Sequence, residues 1–189
     1  MNNATLLRLE TFDEESGDLN AVIETPQGSR GKYAYDPERG LFRLCRMLPL
    51  GNEFPFDFGF VPSTLGDDGD PLDVVVIGDA PLLQGALVVA RLIGVIEGKQ
   101  KESGKRAIRN DRLIAVLANS QDHRSVRSLE DLDDNLVEQL ELFFTHYNAL
   151  EEKTFKPIGR HGPRKAKKLV EQGVRDAQGR NGSRAARER

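Results

Sequence analysis

The reading turns on Asp67-Asp68-Gly69-Asp70-Pro71-Leu72-Asp73-Val74-Val75-Val76-Ile77. An apolar, β-branched run such as Val74–Ile77 reads as a buried strand, so Asp68, Asp70 and Asp73 sit on a Gly/Pro turn at the rim of a rigid element. Carboxylates this close repel one another, and a hard cation keeps several of them ionised. Mg²⁺ suits such a turn, because it takes oxygen ligands, retains waters and binds through a few carboxylates plus phosphate oxygens. A solvated polar turn is the simpler alternative for the same residues. An EF-hand loop does not fit: with Asp68 as first ligand, Asp73 falls where that loop requires glycine, and Pro71 interrupts it.

The 189 residues are enough for one domain with a proper core. Hydrophobic residues make up 38%, charged residues 30%, and the net charge is −3. That balance gives no reason to expect nucleic acid as the main partner. Cys45 is the single cysteine, which excludes an intramolecular disulfide and a Cys-built zinc cage. Its apolar neighbours predict a buried small residue rather than a reactive thiol. No apolar run approaches membrane-spanning length and no signal peptide is evident, so the expectation is a cytoplasmic protein without a membrane partner.

Working outward, Thr5–Leu9 is read as an edge strand, Leu19–Glu24 as its return, and Lys32–Tyr35 and Leu41–Met47 as a hairpin across Asp36-Pro37-Glu38-Arg39-Gly40. Arg46 shares a strand face with Phe42 and Leu44 if alternation is regular. Phe54, Phe56, Phe58 and Phe60, punctuated by Pro55 and Gly59, suit a packed irregular segment. Ala86–Ile96 and Arg112–Leu117 are buried strands, with a bulge expected at Gly94 and a polar connection over Glu97–Asn110. Strands joined by short turns without βαβ alternation predict a closed or strongly curved antiparallel barrel.

The pattern then becomes helical. Ser128 and the acids after it read as a helix start, and Leu132, Leu136, Leu140, Phe143, Tyr147 and Leu150 recur at helical spacing. Lys156–Gly162 is read as a loop, and Pro163 as the first position of a second helix carrying Ala166, Leu169, Val170 and Val174. The domain is expected over residues 1–176, with an Arg-rich disordered tail over 177–189. His123, His146 and His161 lack metal-ligand spacing, and neither a Walker-type loop nor a G-x-S-x-G elbow is present.

From Ala21 to Val174 the chain resembles the soluble family I inorganic pyrophosphatases. Asp68-Gly69-Asp70-Pro71-Leu72-Asp73 fits that family's Asp-x-Asp-Pro-hydrophobic-Asp signature. Supporting positions, in matching order, are Glu24 with Pro26, Lys32-Tyr33, Arg46, Phe54-Pro55 with Phe58-Gly59-Phe60, Leu113–Val116, and Phe143-Phe144 with His146-Tyr147. The resemblance implies a mainly β fold with α: a five-stranded OB-like closed barrel with two flanking C-terminal helices. It implies Mg²⁺-dependent hydrolysis of pyrophosphate to two orthophosphates, in a homo-oligomer. It assigns Asp68 and Asp73 to the metal, Asp70 to the metal and to the base for the attacking water, and Glu24 to an outer metal-water shell. Lys32, Arg46 and Tyr147 would hold phosphate.

The chain also departs from the family pattern. Ala34 stands where the family usually has Glu, Phe54 and Phe58 stand for tyrosines, and Asn148 stands for a lysine. The aspartate that completes the cage aligns with Asn110, and a lysine aligns with Arg112. Losing that carboxylate is expected to weaken outer metal positions first. Asp111 is the neighbouring candidate ligand, although one residue of slip on a strand reverses the face. Glu102 is a further carboxylate candidate, and Lys153 or Lys156 could add to the anion field. Two other readings remain open: a phosphohydrolase of the same fold with a different phosphate substrate, and a non-catalytic metal- or phosphate-binding paralogue.

Overall fold

The computed structural model describes residues 6–187, with side chains through Arg180. Its frame is β1 (Leu19–Thr25), β4 (Asp57–Phe60), β5 (Asp73–Ile77), β8 (Arg112–Leu117) and the long β6 (Leu87–Glu102). β1 pairs β4, β4 pairs β5, β5 pairs β8, β8 pairs β6, and β6 returns to β1. The expected five-strand closure is therefore present as a ring. It is not wholly antiparallel, because β5 and β8 run parallel with Val74 opposite Leu113. That register sets Asp73 level with Arg112 at the start of the two strands.

β5 and β8 read as unbroken apolar runs because both of their faces are covered. Val75, Ile77, Ile114 and Val116 join one core with Val137, Leu140 and Phe144 of α1 (Asp134–Ala149). Val74, Val76, Leu113 and Ala115 join the other with Ala166 and Val170 of α2 (Pro163–Arg187). Helices thus pack on opposite sides of the strands that carry the acidic turn. Asp133 caps α1, while Ser128 caps the preceding 3₁₀ turn, Leu129–Asp131, in a capping box.

Several local expectations are corrected. Leu6–Arg8 is a 3₁₀ turn, not an edge strand, because Ser63 donates its N–H to Leu7 O at 2.9 Å and its hydroxyl to Leu9 O at 2.8 Å; Thr5 lies outside the described residues. The Phe-rich segment contains β4. Gly59 makes this possible, since a Cβ there would lie 1.9 Å from Val22 O on β1. Lys153–His161 is a strand, β9, rather than the loop expected over Lys156–Gly162. It pairs β6, with Pro157 opposite Gly98 where the register shifts, a place that tolerates a missing N–H. The polar stretch after Glu97 extends β6 and turns back as β7 (Ile108–Arg109).

Residues 177–187 continue α2 instead of forming an irregular tail. Past the apolar positions Ala166 and Val170, Gln172 donates to Asp176 and Arg175 donates to Gln172, pairs that support the helix as its polar part begins. Residues 188–189 lie outside the described residues. β2 (Gly31–Asp36) and β3 (Leu41–Met47) form a separate two-stranded sheet. β3 is largely exposed for that reason, and so is Cys45, against the expectation of burial.

Gly59→Ala should cost about 3 kcal/mol, the upper range for forcing atoms into packed space. Urea unfolding measures it, and an unchanged midpoint would mean that β1 and β4 separate freely.

Candidate active site

The acidic turn is held from both ends. Gly66 N–H donates to Asp70 O at 2.7 Å, Gly69 N–H to Gly66 O at 3.1 Å, and Asp70 N–H to Asp68 Oδ1 at 3.2 Å. Gly69 has φ +91°, a conformation that only glycine adopts without strain. The Thr64 hydroxyl accepts from Leu72 N–H at 3.0 Å and donates to Val61 O at 2.6 Å. α2 adds an outer brace. Gly173 O accepts from Leu65 N–H at 3.0 Å, and Arg180 Nη1 donates to Gly69 O at 2.9 Å.

Asp68, Asp70 and Asp73 line one cleft of about 500 Å³ together with Glu24, Lys32, Arg43, Arg112, Tyr147 and Lys153. The three acids are therefore brought together with opposing cations. Glu24 is buried; its Oε1 accepts from Tyr35 N–H at 2.7 Å and its Oε2 lies 3.4 Å from Lys32 Nζ. Burial raises the Glu24 pKa, and Lys32 works against that rise. Lys32 Nζ also stands 4.4 Å over the Phe58 ring. Tyr147 OH donates to Glu151 Oε1 at 3.2 Å, and burial, with the Glu151 charge, pushes its pKa up. The phenol thus keeps its proton, which it gives to Glu151.

Arg46 does not share a face with Phe42 and Leu44. Lys32 faces Arg46 and Tyr33 faces Leu44, so Cys45 is a bulged residue that turns Arg46 to the face of Lys32 and Arg43. There Arg46 Nη2 pairs at 3.0 Å with Oε1 of Glu151, which lines the cleft. Asp111 accepts from Arg109 at 2.8 Å and from Gly98 N–H at 2.9 Å, and lines a second cavity of about 210 Å³ behind the turn. Asn110 is the residue that reaches the cleft. Glu102 is bound to Lys105 and Lys153, away from the acids. Arg43, Glu151 and Arg180 carried no signal in the sequence reading, because each depends on a bulge or on long-range packing; Lys153 was named there, and the cleft includes it.

The arrangement suits a divalent ion that uses few protein ligands. Among the described residues no three His, Cys, Asp or Glu side chains converge closely enough to hold an ion by themselves. The carboxylates nevertheless face one recess, and desolvation, with the Asp73 charge, raises the pKa values of Asp68 and Asp70. Mg²⁺ commonly fills such a site with waters and phosphate oxygens completing the shell.

Burial, reinforced by the Asp73 and Asp70 charges, pushes Asp68 up to about 6. Asp68 is exposed by surface area and lines both the cleft and the cavity behind it. Burial holds Asp70 up as well, together with Asp73, while Arg180 and Lys32 oppose the rise. In metal-free protein the unfolded Asp68 carboxyl ionises near pH 4 and the folded one near 6. The folded state then keeps the extra proton, so this contribution to stability is present below about pH 4 and lost as pH rises through about 6. In EDTA, Asp68→Asn should flatten the fall in unfolding free energy between those pH values; an unchanged slope would contradict the assignment.

A family model described as inorganic pyrophosphatase matches residues 21–178. The inorganic pyrophosphatase of Thermus thermophilus is 36% identical over 169 residues, 89% of this chain and 94% of that protein. That of Synechocystis is 37% identical over 145 residues, 77% and 83% of the two chains. The crystal structure of the Thermus thermophilus enzyme superposes with a TM-score of 0.84 at 32% identity, covering 93% of this chain and 99% of that one. A Helicobacter pylori inorganic pyrophosphatase structure gives 0.80 at 32%, covering 90% and 98%. With the acidic turn, the strand ring and the cleft all in agreement, the chain belongs to the inorganic pyrophosphatase family.

Proposed function

We propose that this chain hydrolyses inorganic pyrophosphate to two orthophosphates with Mg²⁺ as its metal, as a cytoplasmic homo-oligomer. One observation carries the reading: Asp68, Asp70 and Asp73 share a cleft with Lys32, Arg43, Arg112 and Lys153. Pyrophosphate is a compact, multiply charged anion, so its cleavage needs fixed cations for the phosphates and acids that recruit mobile ones. When bound, divalent ions offset phosphate charge and lower the pKa of the attacking water. Asp68 and Asp73 would hold the metal, with Glu24 in its outer water shell. The Asp70 carboxylate would take the proton from the attacking water. Lys32, Arg43, Arg46 and Lys153 would bind the phosphate oxygens, and the Tyr147 hydroxyl would donate to them in place of Glu151.

The substitutions in the aromatic segment support retained chemistry. Phe54 is buried and packs its ring against Phe58, Phe143 and Tyr147, so its missing hydroxyl lies away from the cleft. Phe58 lines the cleft but serves as the floor beneath Lys32. No helix among the described residues is long and apolar enough to cross a membrane. Leu142, 61% exposed on α1, lies beside a groove lined by Pro55, Phe56 and Phe143, which supports a self-association surface.

The test is phosphate release from pyrophosphate by the full chain with Mg²⁺ and with EDTA. Turnover should require the metal, and metal-independent or absent turnover would overturn the reading. Asp70→Asn should lower kcat by about 10²–10⁴ with an unchanged circular dichroism spectrum; full activity in the folded variant would remove Asp70 as the base.

A further inference from the structure

We infer that Arg112 is a resident cation standing in for one divalent ion, so that this site loads fewer ions than its carboxylates would otherwise bind. The inference rests on the metal-dependent reading above. Arg112 is 4% exposed, yet it lines the cleft. Its Nη1 donates to Asp73 Oδ2 and to Asn110 Oδ1, and lies 3.3 Å from Asp111 O. Its guanidinium carbon stands 5.1 Å from the Phe144 ring centroid, 5.4 Å from that of Phe155 and 6.0 Å from that of Phe58. A guanidinium does not deprotonate in proteins, so the charge beside Asp73 is permanent.

Two consequences follow for metal loading. Asp73 has one oxygen committed to Arg112, which leaves Oδ1 for an ion. Asn110 offers a neutral amide in place of a carboxylate, its Oδ1 accepting from Arg112 and its Nδ2 donating to Gln100 Oε1 at 2.9 Å. Asp73, Arg112 and Asn110 therefore form a closed chain of polar contacts, and an ion bridging positions 73 and 110 would have to displace the guanidinium. Ions are confined to the side of the cleft formed by Asp68, Asp70 and Asp73 Oδ1. A fixed positive charge there also disfavours a further cation nearby.

The test counts Mn²⁺ bound per chain at saturation, by titration calorimetry and by electron paramagnetic resonance of the free ion. Arg112→Met keeps an unbranched side chain for the aromatic surroundings and should bind one more Mn²⁺ per chain than the wild type. Arg112→Lys, which keeps the charge, should match the wild type. Asn110→Asp, close to isosteric, should also leave the count unchanged while Arg112 is present. A count unaltered in folded Arg112→Met, or an ion gained by Asn110→Asp alone, would overturn the inference. If Arg112→Met does not fold, Asn110→Asp decides. Absence of Mn²⁺ binding to the wild type would instead bring down the metal reading itself, and this inference with it.

Discussion

Mutual repulsion among carboxylates crowded onto one turn is the constraint that the rest of the molecule answers. Desolvation raises the cost of charging Asp68 and Asp70, and the Asp73 charge adds to it for both. The fold surrounds them with cations fixed by separate elements. Arg112 of β8 binds Asp73, Lys32 of β2 reaches Glu24 and the cleft, and Arg180 of α2 binds Gly69 O. Each cation comes from a distant part of the chain, so the charge balance of the turn exists only once the ring has closed and α2 has docked.

The parallel pairing of β5 with β8 is what makes the innermost contact. Val74 faces Leu113, which sets the side chains one residue earlier, Asp73 and Arg112, beside each other at the strand mouths. Burying the pair alone would be expensive, since desolvation of two charges rivals their attraction. Three aromatic rings flanking the guanidinium supply part of the offset. The Phe residues therefore serve both as core and as lining for a buried cation, and Phe58 does so for Lys32 as well.

How much of this could be read from the sequence follows the range of the interactions involved. The acidic turn and the strands flanking it are local patterns that composition marks, and Gly94 marked a real register shift for the same reason. The α1 stripe, by contrast, is read one residue off, since Val137, Phe144 and Asn148 join Leu140 as its buried face while Leu150 is exposed. One bulged residue, Cys45, takes Arg46 off the face of Phe42 and Leu44, and nothing in Leu44-Cys45-Arg46 announces it. β9 was hidden by Pro157 and Gly159, residues that signal a loop unless a partner strand is bulged opposite them. The end of α2 lacked apolar periodicity because its anchors are polar, Arg180 to Gly69 among them.

Asn110 reaches the cleft, and Asp111 lines the neighbouring cavity together with Asp68 and Asp73. Asn110 N–H pairs with Gly98 O, and Gly98 N–H returns to the Asp111 carboxylate. Adjacent residues on this extended segment consequently point to opposite sides, Asn110 into the cleft and Asp111 to Arg109. A carboxylate next to the expected position is thus no substitute for one at it. Asp111 neutralises Arg109, the amide of Asn110 accepts from Arg112, and the charge that a cage carboxylate would have offered to a metal is absent. Among the described residues Asp73 is then the one ionic partner of Arg112, which couples the identity of residue 110 to the number of oxygens that Asp73 can offer.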